Sequence, residues 1–329
     1  MKSEKIYRGF YSNMRFNPTF FLMGCACGKE VIEVNGKPYT IKTRVGEGGF
    51  SVVDLVQDQK THKLYALKRI ACHSKEDEKN ALREAEYHNL FNHANILECI
   101  DVTLVERCDR LHPTRSEVRL LLPYFRKGTL QDELNMRSKN KNHITEERIL
   151  RIFRQMCDGI RVIHSAQPHP LAHRDAKPAN VLMGNDDTPV WMDFGSMGKA
   201  RQEIRKASEA RVLQDLAAEK CSMAFRAPEL FHVESHSSID ERVDVWSLGC
   251  CLYAMCYFNS PFEAAHQRGD SVALAVMSGN IDFPENTPYS NGMHNLIRSM
   301  LEVSALQRPF IDGVLFQIDS LLPAIQNTV

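Results

Sequence analysis

Short apolar runs separated by turn residues fill the first third of the chain and predict strands. Val31-Ile32-Glu33-Val34 and Tyr39-Thr40-Ile41 flank Asn35-Gly36, a dipeptide that turns a chain sharply because both residues tolerate positive φ. Lys37-Pro38 leaves open whether that turn closes with two residues or more. Asp54 to Val56 and Leu64 to Arg69 continue the strand pattern, and Lys75 to Phe91 reads as a helix after them. Farther on, helical spacing takes over. Glu146 to Ser165 sets Ile149, Ile152, Phe153, Met156, Ile160 and Ile163 on one side, the mark of a core helix. Gln202 to Lys220 predicts a second helix, with Ile204, Ala207, Ala210, Leu213 and Ala217 forming an apolar stripe between charges. Val245 to Phe258 is apolar almost throughout, too short for a bilayer and suited to a helix buried in a globular unit. The first 22 residues are basic and aromatic without periodicity, and Phe20-Phe21-Leu22-Met23 is too short for a signal-peptide apolar region.

Composition narrows the function classes. A chain of 329 residues can bury a large core and suggests roughly two domains or one two-lobed unit. Lys plus Arg equals Asp plus Glu, at 41 each, so the charge balance argues against bulk nucleic-acid binding. The 10 cysteines show no paired spacing, which reads as a reduced, intracellular set. Cys25-Ala26-Cys27 has no second pair at zinc-finger spacing. No sequence signal specifies an oligomeric state.

The chemistry concentrates in two blocks, His173-Arg174-Asp175-Ala176-Lys177-Pro178-Ala179-Asn180 and Asp193-Phe194-Gly195. Their order, with a short strand-like segment between, resembles the catalytic loop and metal-binding turn of the eukaryotic protein kinase superfamily. Upstream, Gly46-Glu47-Gly48-Gly49-Phe50-Ser51 is followed by strands rather than a helix, which excludes a dinucleotide-binding fingerprint. Glycines let backbone amides approach phosphate oxygens; Ser51 stands where the family has its third glycine. Tyr65-Ala66-Leu67-Lys68 resembles the family's third strand, and Ala227-Pro228-Glu229 and Asp244-Val245-Trp246-Ser247-Leu248-Gly249 resemble later landmarks.

The resemblance implies an α+β, two-lobed fold, with a small antiparallel sheet lobe carrying one main helix and a larger, mostly helical lobe. It implies a leader over 1–38, a kinase domain over 39–322 and a tail over 323–329. Within the domain it implies an amino lobe over about 39–122, a hinge over 123–127 and a carboxy lobe over 128–322. It implies transfer of the ATP γ-phosphate to protein hydroxyls with magnesium. Asp175 would accept the hydroxyl proton and Lys177 would offset phosphoryl charge. Asn180 and Asp193 would hold the metal, whose preference for a few oxygen ligands they meet. Lys68 would contact the α- and β-phosphates and pair with Glu84, with Glu86 the nearby alternative. Leu122 would be the gatekeeper, Pro123, Tyr124 and Phe125 would face the adenine edge, and Val53, Ala66 and Leu182 would sandwich the ring. Glu229 would pair with Arg308 as a structural bridge.

Lys177 and Ser222 match the serine/threonine members of the superfamily, and Ala176 replaces a usual leucine. The helix read over Gln202 to Lys220 resembles the Numb-associated kinase family, as do Met192-Asp193-Phe194-Gly195-Ser196-Met197, Ile239-Asp240-Glu241-Arg242-Val243-Asp244-Val245-Trp246 and Gly269-Asp270-Ser271-Val272-Ala273-Leu274-Ala275-Val276. Ser196 and Ser208, between Asp193-Phe194-Gly195 and Ala227-Pro228-Glu229, are candidate phosphorylation sites. Within the family the resemblance is to small serine/threonine members acylated at the amino terminus. Met23-Gly24-Cys25-Ala26-Cys27 matches such a terminus if translation starts at Met23. Gly24 would then be myristoylated, and Cys25 or Cys27 palmitoylated as the second anchor, on Golgi or other secretory-pathway membranes. A start at Met1 implies a cytosolic form. The alternatives to a protein serine/threonine kinase are a pseudokinase-like nucleotide-binding scaffold and a kinase for lipids or small molecules.

Overall fold

The structure, a computed structural model, describes residues 30–109 and 112–326. The chain divides into two compact units, one formed by Met1–Asn92 and Leu97–Gly128, the other by His93–Ile96 and Thr129–Val329. The acylation motif at Gly24, Cys25 and Cys27 lies outside the described residues.

The first unit is built on a six-stranded sheet in the order β1-β2-β3-β4-β6-β5, every neighbouring pair antiparallel. Its strands are β1 (Val31–Val34), β2 (Lys37–Glu47), β3 (Ser51–Asp58), β4 (Leu64–Cys72), β5 (Asp101–Asp109) and β6 (His112–Pro123). Asn35 and Gly36 take φ of 46° and 73° and alone join β1 to β2, since Val34 already faces Lys37. The turn therefore closes with two residues, and Lys37-Pro38 belongs to the strand. Ile32, Val34, Tyr39, Val56, Leu67 and Leu121 form the apolar cluster under one face.

Helix α1 (Lys75–Leu90) packs on this sheet. Ser74 caps it by accepting from the Asp77 N–H at 3.1 Å, and Glu76, Asp77 and Glu78 sit in the first turn, where the helix dipole favours negative charge. Its buried stripe is Glu78, Ala81, Glu84, Ala85 and His88, a helical period with an unusual polar content.

The second unit is mostly helical. It opens with α2 (Leu130–Asn140), capped reciprocally by Thr129 and Asp132, and α3 (Glu146–His164). Two short antiparallel ladders follow, β7 (Leu171–Ala172) with β10 (Gly198–Lys199) and β8 (Val181–Met183) with β9 (Pro189–Trp191). Residues 93–96 join this unit because Trp191 N–H donates to the Asn95 carbonyl at 2.9 Å and the Asn95 amide donates to Pro189 O at 2.8 Å. Trp191 itself presses on α3, where a Cβ at Gly159 would come within 2.8 Å of the indole.

The segment predicted as one helix from Gln202 to Lys220 is not one helix. Gln202–Ile204 forms β11, paired with β12 (Ser237–Ile239), and α4 begins at Ala207. Ile204 is buried as a strand residue, Ala207 is exposed, and the apolar stripe of α4 reduces to Ala210, Leu213 and Ala217. A partner strand more than 30 residues away, supplied by β12, overrides the local helical spacing.

Helix α5 (Arg242–Tyr257) is buried over nearly its whole length and ends at Phe258, which takes a left-handed φ of 73°. Helices α6 (Glu263–Arg268), α7 (Val272–Ser278), α8 (Asn291–Met300) and α9 (Ile311–Gln326) complete the unit, with α8 against α5 and α9 against α3. Among the described residues no helix is long and apolar enough to cross a membrane. Two units of this make-up give the α+β, two-lobed architecture predicted above.

Candidate active site

In the first unit, β2 and β3 are joined through the glycine-rich turn. Gly46 faces Val53 and Glu47 faces Val52 across the ladder. The Gly48 N–H donates to Ser51 O at 2.7 Å, and the Phe50 carbonyl accepts from Ala71 N–H at 2.8 Å, with Phe50 73% exposed at the tip beyond Gly49. Ser51 opens β3, so a residue with a side chain fits where it begins a strand rather than a strained turn.

The β3–β4–β6 register sets Val53 opposite Lys68, Leu55 opposite Ala66, and Ala66 opposite Leu122. Pro123 ends β6 and faces Tyr65; Tyr124 and Phe125 follow it, and Phe125 O accepts from Gly128 N–H at 3.3 Å. Lys68 Nζ reaches Glu84 Oε1 of α1 at 2.7 Å, both largely buried. The competing carboxylate, Glu86, is exposed. A mostly buried ammonium and carboxylate at this distance tie α1 to β4.

In the second unit, the catalytic-loop block is held from beneath by Asp244, which is fully buried in the first turn of α5. Its carboxylate accepts from the His173 N–H at 2.7 Å, the Arg174 N–H at 2.8 Å and His164 Nε2 at 2.9 Å. Burial would raise its pKa, but the hydrogen bond and charge of His164, with His173 and the Arg174 N–H, outweigh burial and hold it below the ordinary value. These bonds let Arg174 adopt a left-handed φ of 67°, a conformation that costs a non-glycine residue energy. The Arg174 guanidinium donates to Lys199 O at 2.5 Å.

The outcome is a fixed carboxylate at Asp175. Oδ1 accepts from the Ser222 N–H at 2.9 Å, and Oδ2 accepts from Lys177 Nζ at 2.8 Å and Asn180 Nδ2 at 3.0 Å. Lys177 Nζ also donates to Ser222 Oγ at 2.7 Å, closing a ring of three residues in which Ser222 takes part through both its backbone and its side chain. Asn180 further donates to the Asp175 carbonyl at 2.8 Å, so its amide nitrogen is engaged and its oxygen is the atom it can offer a cation. The β8–β9 hairpin then returns the chain, and Met192 N–H donates to Asn180 O at 3.0 Å. Asp193 follows in the left-handed region, with φ of 64°, at the head of a single helical turn over Phe194–Ser196. An amide oxygen and a carboxylate are hard oxygen donors, the chemistry a small divalent cation requires. Leu182 lies in β8, bridged to Thr129.

Farther along, Arg308 is 2% exposed and grips Glu229 with two parallel bonds of 2.8 and 3.1 Å, the predicted bridge. Of the candidate phosphorylation sites, Ser208 is exposed in the first turn of α4, while Ser196 is half-buried and donates its hydroxyl to Lys220 O at 2.9 Å. His164 and His88 are functional-looking contacts that the sequence reading missed. Both lie within predicted helices, and helical periodicity does not tell what a polar residue on a buried face binds.

Comparison with known proteins agrees with this geometry. The protein kinase domain family model matches residues 39–317. The chain is 44% identical over 299 residues to Serine/threonine-protein kinase 16 of Homo sapiens, covering 91% of this chain and 95% of that protein. It is 34% identical over 322 residues to Serine/threonine-protein kinase ppk13 of Schizosaccharomyces pombe, covering 88% and 92%. Against Serine/threonine-protein kinase ENV7 of Saccharomyces cerevisiae it is 29% identical over 354 residues, covering 90% and 96%.

Proposed function

The chain belongs to the protein kinase family and is an ATP-dependent protein serine/threonine kinase, and from that premise we propose the part each residue plays. Asp175 orients the acceptor hydroxyl and takes its proton as the γ-phosphoryl group passes from ATP to that oxygen, leaving ADP. Lys177 offsets charge on the transferred group. Asn180 and Asp193 hold magnesium through oxygen, and Lys68, kept in place by Glu84, meets the α- and β-phosphates. Magnesium, when bound with ATP, neutralises phosphate charge. Gly46, Glu47, Gly48, Gly49, Phe50 and Ser51 cover the phosphates. Val53, Ala66, Leu122, Pro123, Tyr124, Phe125 and Leu182 receive the adenine.

The observation that carries this reading is the Asp175 carboxylate, with Lys177 and Asn180 on one oxygen and Ser222 N–H on the other. It leaves a proton acceptor pinned beside a cation that a phosphoryl group could share. The test is Asp193→Asn, assayed for phosphate transfer with the fold monitored by circular dichroism. Transfer should fall to background in a folded protein; an equally active variant would refute the metal assignment.

The reading extends to location. Met23-Gly24-Cys25-Ala26-Cys27 supports initiation at Met23, myristoylation of Gly24 and palmitoylation of Cys25 or Cys27, hence attachment to Golgi or other secretory-pathway membranes. Amino-terminal peptide mass spectrometry of the native protein tests this. A Gly24 terminus bearing a myristoyl mass is expected, and an unacylated peptide running from Met1 through Lys29 would contradict it.

A further inference from the structure

Helix α1 meets its sheet through polar groups to an unusual degree. Its buried apolar positions include Ala81 and Ala85, side chains too small to lock a helix by interdigitation. The remaining buried positions are Glu78, Glu84 and His88, and each has a specific partner. Glu78 Oε1 accepts from Ser116 Oγ of β6 at 2.6 Å, Glu84 pairs with Lys68 of β4, and His88 Nδ1 lies 2.6 Å from the Leu97 carbonyl.

The last contact sets the imidazole's chemistry. A carbonyl oxygen only accepts, so Nδ1 carries the proton and donates to Leu97 O. With that nitrogen committed, the Nε2 edge faces Glu84, one helical turn away, at 4.0 Å from Oε1. His88 is 1% exposed. A buried imidazole costs free energy that an aliphatic side chain of similar size would not, unless its hydrogen bond is made. The ring is thus anchored at one end to the segment after α1 and backs the carboxylate at the other.

We infer that His88 is a positioning residue: its bond to Leu97 O sets the end of α1 and the floor beneath Glu84, so that Glu84 reaches Lys68. The inference rests on the role assigned above to the Lys68–Glu84 pair. It differs from a packing role in what it predicts. The hydrogen-bond donor at Nδ1 matters, and its loss acts through Glu84.

The experiment measures KM for ATP and kcat for His88→Leu, His88→Gln and His88→Asn, each in the parent chain and in a Glu84→Gln background. Asn places an amide N–H near the position of Nδ1, whereas Gln places it near Nε2. In the parent, H88L and H88Q should raise KM for ATP about tenfold, and in the Glu84→Gln background by less than about twofold, the coupling expected of groups in one network. H88N should keep KM near the parent value. Parent-like KM in H88L and H88Q, equal increases in both backgrounds, or H88N as impaired as H88Q would each overturn the inference. If H88L does not fold, H88Q against H88N decides. If Glu84→Gln alone changes neither constant, the reading of the Lys68–Glu84 pair fails and the inference falls with it; an impaired Glu84→Gln beside an unimpaired H88Q sinks the inference alone.

Discussion

Ser222 donates its backbone N–H to the Asp175 carboxylate at 2.9 Å, tying together two residues 47 positions apart. The same serine accepts from Lys177 through Oγ at 2.7 Å. The segment leading to Ala227-Pro228-Glu229 therefore contributes directly to the arrangement of the proposed proton acceptor.

Ser222→Ala separates the two contacts, since it keeps the backbone bond and removes the hydroxyl. With a hydrogen bond to a charged group worth about 1.5–3 kcal/mol, kcat should fall roughly ten- to hundredfold while KM for ATP stays unchanged. Ser222→Thr, which restores the hydroxyl, should retain most of the parent rate. Steady-state kinetics on the three proteins checks this, and a parent-like kcat in Ser222→Ala would remove Ser222 Oγ from the account.

Asp244 links stability to pH. Its native pKa lies below its unfolded value, because the bonds from His164 and the loop N–H groups outweigh burial. Its stabilising contribution is therefore complete above the unfolded pKa of about 3.9 and is lost as pH falls through the lower native value. Asp244→Asn should cost about 3 kcal/mol at pH 7, the scale for removing one partner of a buried charged network. The gap between variant and parent should narrow below about pH 4 as the parent carboxylate is protonated. Denaturant midpoints across that range check it; a gap of constant size from neutral to acid pH would contradict the assignment.

What was legible in the sequence was whatever local chemistry decides. Asn35-Gly36 marked its hairpin because few other dipeptides accept two successive positive φ values. Helix α3 came within one residue of its predicted end, since its apolar face repeats without interruption. Gln202–Ile204 was misread because the strand that captures it lies far along the chain, and periodicity carries no information about a distant partner. The same limit hid His88 and His164. Both lay within predicted helices, but the Leu97 carbonyl and the Asp244 carboxylate that satisfy them come from other parts of the chain. In the site itself, the roles proposed for Asp175, Asn180 and Asp193 come from two compact blocks of sequence. The contact of Lys177 with Ser222 could be read only through resemblance.

The most direct test of the account is phosphate transfer from labelled ATP to a mixed Ser/Thr/Tyr peptide library by the parent and by Asp175→Asn, with nucleotide binding measured in parallel. The account predicts label on serine and threonine for the parent. It predicts loss of about a hundredfold or more in the variant, the scale for removing a positioned proton acceptor, with nucleotide affinity retained. Transfer by Asp175→Asn at the parent rate, or nucleotide binding by the parent without transfer to any hydroxyl, would contradict it.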